Sequence, residues 1–143
     1  MTESHLTRTR ELRMIAKAYD LEAPPAFWSA SDAEVDTIYN GTGPEWFPES
    51  LRHILDEIMV VALPAVVIHD WEFSHNDGSL AMFEKANARL YINVKRLASA
   101  AYPLSDPFCW IIRAKWMIRA WIMWRSCSDL GWSAYESGKG KLR

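Results

Sequence analysis

The residues best suited to chemistry are His69 and Asp70, which close the apolar run of PAVVIHDWEF, and the glycine-rich stretch YNGTGPEWFP at residues 39–48. A neutral imidazole can take a proton from water, and an ionised carboxylate can hold a cation. Adjacent residues of a helix point about 100° apart, so Asp70 cannot orient His69 by facing it; each needs its own task. An ionised Asp in an apolar run is costly to bury unless a cation or hydrogen-bond donors compensate it. Gly41 and Gly43 allow positive φ, which lets successive carbonyls turn toward one point. A hard cation such as calcium takes carbonyl oxygens together with a carboxylate, and Asp70 is there to supply the latter. The residues alone leave a plainer reading open: a hydrogen-bonded histidine, a helix-end carboxylate and a solvated turn.

Other chemistries find less support. His69 and His75 are about 600° apart around a helix and so lie on different faces. His53 belongs to another segment, and no Cys joins these histidines at zinc spacing. No Ser or Cys sits in a recognisable nucleophile motif, so a different lytic hydrolase rests on the His and carboxylates alone. The net charge of −2 gives no basic face for nucleic acid.

The 143 residues suit one domain with a real core, and the 50% hydrophobic content with eight Trp excludes disorder by composition. Cys109 and Cys127 fall on one expected helix, roughly 27 Å apart, too far to pair. Reduced thiols and a cytoplasmic location are expected. The N-terminal MTESHLTRTRELRMIAKAYD has no apolar h-region, so no signal peptide is expected, and export by an unconventional route, such as lysis or a phage context, stays open.

Helices must position these groups. A first helix is expected over residues 5–19, stopped by LEAPPAFW. A second begins at Ser31, where SDAE has capping-box form, and ends at Asn40–Gly41. A third starts near Pro48 and runs through ESLRHILDEIMVVA, and Pro64 interrupts or restarts it. AVVIHDWEF is apolar enough to be buried, and HNDGS is a turn. Ser79 then caps the helix LAMFEKANARLYINVKRLASA. Asp106 and Pro107 open a long last helix that Gly131 stops. The expected organisation is one helical domain over 1–143: an N-terminal helix and arm (1–30), a core (31–100), a Trp-rich helix (101–131) and a tail (132–143) whose end, ESGKGKLR, is expected to be mobile.

The Trp-rich helix supports three readings. Trp110, Met117, Trp121 and Trp124 repeat on one side, and Trp116, Ala120 and Met123 form a second strip. Arg113, Lys115, Arg119 and Arg125 interrupt both, so it does not span a membrane. It can be a central core helix whose basic side chains snorkel outward. It can be a lipid-interface surface, with Trp110, Trp121 and Trp124 at headgroup depth. It can also offer a groove to a partner helix.

Taken together, Tyr39-x-Gly41-x-Gly43 followed by His69–Asp70 resembles the calcium loop and His–Asp helix of secreted phospholipase A2. The chain more closely resembles small phospholipase-A2-like proteins of phages and bacteria. Those have an NGCGP loop, an AC-x-IHDW segment and an AD-x-x-F-x-x-N helix. The counterparts here are Asn40-Gly41-Thr42-Gly43-Pro44, Ala65 to Trp71, and Ala86 to Asn93. The ending DLGWSAYESGK is similar too, so the likeness covers roughly residues 36–139. It implies an all-α phospholipase-A2-like core with an added Trp-rich C-terminal helix. It also implies a calcium ion held by carbonyls of Tyr39, Gly41 and Gly43 with Asp70, and His69 as the base that activates water against a phospholipid ester. Asn87 stands where the family has the Asp that orients the histidine, and Phe73 where it has a supporting Tyr. Thr42 and Val66 replace two cysteines. These departures imply a hydrolase of weakened or lost activity, or a non-catalytic binding or structural protein on the same scaffold.

Overall fold

The computed structural model describes residues 3–39, 48, 50 and 59–138. Among them every regular element is helical, as the sequence leads one to expect. Helix α1 (Glu3–Ala18) turns Thr9, Leu12 and Ala16 inward at helical spacing. It closes where the Leu21 N–H donates to the Ala16 carbonyl at 2.9 Å and Asp20 adopts a φ of 53°. LEAPPAFW does stop α1, but it also forms a turn of its own, α2 (Pro25–Ser29), which buries Phe27 completely.

Helix α3 (Asp32–Ile38) carries the capping box. The Glu34 N–H donates to Ser31 Oγ at 3.2 Å, and the Ser31 N–H donates to Glu34 Oε2 at 2.7 Å. Tyr39 is its C-cap. The expected helix end at Asn40–Gly41, and nearly all of the helix expected from Pro48, lie outside the described residues. The last residues of that expected helix, Met59–Ala62, form a turn, because Pro64 suits the second position of a new helix rather than the interior of an old one.

That new helix, α4 (Leu63–Ser74), is the centre of the molecule. Nine of its twelve residues are buried, including every residue from Leu63 to His69. A helix apolar on all sides can be stable only when neighbours surround it; here α1 and α3 flank it on one side and α5 (Leu80–Ala101) on another. Ser79 caps α5 by accepting the Met82 N–H at 3.2 Å. The α5 face built from Phe83, Ala86, Asn87, Leu90, Asn93, Val94 and Leu97 follows the 3- and 4-residue spacing of one helical stripe. Asn93 locks this helix to the α1–α2 connection: its Oδ1 accepts the Glu22 N–H and its Nδ2 donates to the Glu22 carbonyl, both at 2.8 Å.

After a 3-10 turn at Pro107–Cys109, whose Asp106 cap accepts the Phe108 N–H at 3.0 Å, helix α6 (Trp110–Leu130) packs along α5. Two expectations are corrected here. The Trp-rich helix is not the core helix: only Trp116 and Ala120 of α6 are buried, since the strip beside the Trp row is the one that meets α5. Nor, although ESGKGKLR leads one to expect mobility from residue 136, is 132–138 a tail without structure. It forms helix α7 (Trp132–Gly138), which packs on α4 and buries Tyr135 fully. Gly138 permits that approach, because a Cβ there would lie 2.0 Å from the Phe73 carbonyl oxygen. Cys109, in the 3-10 turn, and Cys127, in α6, are free thiols. No helix among the described residues is long and apolar enough to cross a membrane.

Candidate functional site

His69 sits in the middle of α4 with 7% of its surface exposed. Asn87, at the facing position of α5, is 1% exposed. Their contact is direct: His69 Nε2 lies 2.9 Å from Asn87 Oδ1. An amide oxygen only accepts, so Nε2 carries the ring proton and Nδ1 holds the lone pair. Burial pushes the imidazole down to about 4, against a smaller upward pull from the Asn87 oxygen. The ring is therefore neutral at pH 7. Asn87 Nδ2 is buried without a hydrogen-bond partner among the described residues, so the amide serves the imidazole with its oxygen alone.

An aromatic cluster begins beside His69. Phe73, one turn on, packs against the imidazole with ring centroids 4.1 Å apart. Phe73 in turn meets Phe83 of α5 at 5.8 Å and Tyr135 of α7 edge-on at 5.4 Å. Tyr135 is fixed by donating its hydroxyl hydrogen to the Ser79 carbonyl at 2.9 Å. Asn76 secures the same end of α4, with Nδ2 donating to the Phe73 carbonyl at 2.5 Å and to the Tyr135 carbonyl at 2.8 Å. Thus α7, a tail by sequence, backs Phe73, the ring against His69, through Tyr135. Its signal is present in the chain: Trp132 and Tyr135 are three residues apart after a glycine, a spacing that puts both on one helical face.

A second cross-link between α4 and α5 lies close by, and no local sequence signal marks it. Glu72 is 7% exposed and pairs with Arg89 through Oε1 and Nη1. Burial drives the Glu72 carboxyl up to about 7, opposed by the charges of Arg89 and Lys85. Glu72 Oε2 and Arg89 Nε are buried without hydrogen-bond partners among the described residues, so the pair is joined at one end only. Its charges flank the His69–Asn87 pair along the same helix interface.

Asp70 points elsewhere, as adjacent positions on a helix require. It is half-buried, and its charge joins burial in raising the Cys127 thiol of α6 to about 11. Tyr39 is 3% exposed and leaves helical geometry at φ −72° and ψ 111°. Gly41 and Gly43, the other expected calcium ligands, lie outside the described residues. The described part of the expected donor set, a backbone carbonyl and a carboxylate, consists of hard oxygens and fits calcium by type. Among the described residues no three His, Cys, Asp or Glu side chains converge, a clustering that a site of three carbonyls and one carboxylate does not require.

Beside Tyr39 is a third polar cluster, built from residues distant in the chain. Asp36 Oδ1 receives the Thr9 hydroxyl at 2.5 Å and lies 2.5 Å from His5 Nδ1, and the Asp36 side chain is completely buried. His5 and Thr9, four apart on α1, share one helical face, which is the one signal of the cluster that the sequence carries. The three Trp residues named for a lipid surface separate. Trp110 and Trp121 are about half exposed, whereas Trp124 is half-buried beside Tyr91, with ring centroids 6.0 Å apart.

The chain matches no known protein family, no curated protein and no solved structure. Fold and site together define an all-helical domain with a buried neutral histidine held by an asparagine across two packed helices.

Proposed function

We propose that this chain is a phospholipase-A2-like ester hydrolase of low intrinsic rate, in which His69 is the general base. The observation that supports this reading is the His69 Nε2–Asn87 Oδ1 hydrogen bond of 2.9 Å. It fixes the ring and its tautomer, leaving Nδ1 to take a proton from water. The same contact accounts for a low rate. Asn87 orients the imidazole but carries no charge, so an imidazolium formed at His69 meets burial without a counter-charge. A base pushed down to about 4 is also a weak base at neutral pH. Tyr39, Gly41, Gly43 and Asp70 are the residues proposed to hold calcium. When bound, that ion supplies positive charge for a substrate phosphate and for the oxygen on which negative charge develops.

A second reading, a non-catalytic binding protein on the same scaffold, is favoured by the contact of Phe73 with His69. The aromatic ring packs 4.1 Å away, centroid to centroid, and offers no polar support. Hydrolysis of fluorescent phospholipid vesicles in millimolar calcium, compared with EDTA, separates the two. The hydrolase reading expects slow, calcium-dependent product formation abolished in His69→Gln. A flat trace, with no calcium-induced rise in Tm, removes that reading and leaves the binding protein.

A further inference from the structure

Among the described residues, helix α6 has only Trp116 and Ala120 buried, and most of its circumference is exposed. At 100° per residue, Ile111, Ile118 and Ile122 fall within about 40° of one another, on the side away from Trp116 and Ala120. Their exposures are 71%, 59% and 48%. Trp110 and Trp121 border this row at 54% and 53%, and Leu104 and Phe108 extend it past the start of the helix at 65% and 93%. Exposed apolar side chains gathered on one helical face mark an interaction site. Charge says with what. Residues 104–130 hold Arg113, Lys115, Arg119 and Arg125 against two acidic residues, Asp106 and Asp129. Of these, Arg113 is engaged by the Ser99 hydroxyl and the Tyr102 carbonyl, both at 2.9 Å, and Arg119 lies over the Trp116 ring. Lys115 and Arg125 are exposed and flank the isoleucine row, with Arg125 also paired to Asp129.

We propose that this face docks the protein on an anionic lipid bilayer, with α6 lying in the plane of the interface. An exposed apolar stripe rimmed by Lys and Arg, with Trp at its border, is what such a surface binds. A second copy of the chain fits less well. It would set Lys115 and Arg125 against their own kind, and the one acidic residue of α6, Asp129, already accepts from Arg125 at 2.8 Å. The net charge of −2 does not oppose lipid docking, because attraction acts within a Debye length of about 8 Å of the face. The proposal extends the lipid-directed reading above to a surface that requires no catalysis.

Flotation of the full chain with vesicles, in EDTA so that no hydrolysis occurs, tests it. Vesicles of phosphatidylglycerol with phosphatidylcholine should carry the protein, and vesicles of phosphatidylcholine alone should carry much less. Ile118→Asp with Ile122→Asp should lower partitioning more than tenfold while leaving the circular dichroism spectrum intact, since both side chains are exposed. Lys115→Ala should lower it about fivefold on the anionic vesicles only. Failure to float with anionic vesicles, or flotation indifferent to the double substitution, overturns the proposal. So does a dimer in sedimentation velocity that the same substitution dissociates. A negative result here leaves the His69 reading standing, and a flat hydrolysis trace leaves docking standing.

Discussion

Replacing Asn87 by Asp gives the sharpest handle on the site. In the native chain His69 is neutral, pushed down to about 4 by burial, with only an amide oxygen 2.9 Å away. A carboxylate in place of the amide puts a negative charge about 4 Å from the centre of an imidazolium. At an effective dielectric of about 20 that attraction is about 4 kcal/mol, equivalent to roughly 3 pKa units. Desolvation of the new carboxylate takes back part of it, so a net rise of about 2–3 units is expected, carrying His69 to roughly 6–7. The pair then titrates as a unit. Ring ¹⁵N and ¹³C shifts of His69 followed from pH 3.5 to 8.5 read this directly, with His5, His53 and His75 assigned by single substitutions. If catalysis runs through this ring, the same variant should hydrolyse phospholipid at least a hundredfold faster at neutral pH, because removing the charge from a His–Asp couple in serine proteases costs about 10⁴. Native His69 titrating near 6.5, or a His69 ring in the Asn87→Asp variant that moves by less than about half a unit, would refute the electrostatic account of the site.

Three further outcomes are expected from the packing. Because the folded pKa of His69 lies below its unfolded value of 6.5, the unfolded chain binds the proton first as pH falls. Its contribution is intact above pH 6.5 and declines toward 4, by about 2.5 kcal/mol between 7.5 and 4.5. Urea unfolding of native protein and His69→Gln should show that difference; parallel curves would contradict it, and Glu72, raised to about 7, has the opposite sign and cancels in the comparison. Asn93→Ala removes both amide bonds to Glu22 and should cost about 2–4 kcal/mol in the same assay; a loss below about 0.5 would mean the clamp contributes nothing. Gly138→Ala drives a methyl group into the Phe73 carbonyl and should lift α7, losing about 1–3 kcal/mol and raising Tyr135 hydrogen exchange. An unchanged exchange pattern would show that α7 does not depend on that close approach.

Much of the local structure is readable from the chain because it depends on short-range chemistry. The Ser31–Glu34 capping box, the Ser79 cap, the Pro64 restart and the Gly131 stop each involve groups within a few residues of one another. The angular separation of His69 and Asp70 is likewise fixed by helix geometry. Asn87 is not legible from its neighbourhood in the chain, since nothing local to it announces a partner eighteen residues away. Glu72 with Arg89, and His5 with Thr9 and Asp36, escape sequence reasoning for the same reason.

The sequence by itself determined an all-helical chain, where several of its helices begin and end, and which residues carry reactive groups, because caps, prolines and apolar periodicity act within one or two turns. Only the tertiary structure decided which apolar helix is central. By composition α4 and α6 were both candidates, yet α4 is enclosed by α1, α3 and α5 while α6 lays a single strip on α5 and leaves its isoleucines uncovered. It also decided that 132–138 is a packed helix rather than a tail, through a glycine that lets two backbones meet. Burial is set by what long-range packing places around a residue, and that same packing turns His69 from an ordinary imidazole into one held neutral.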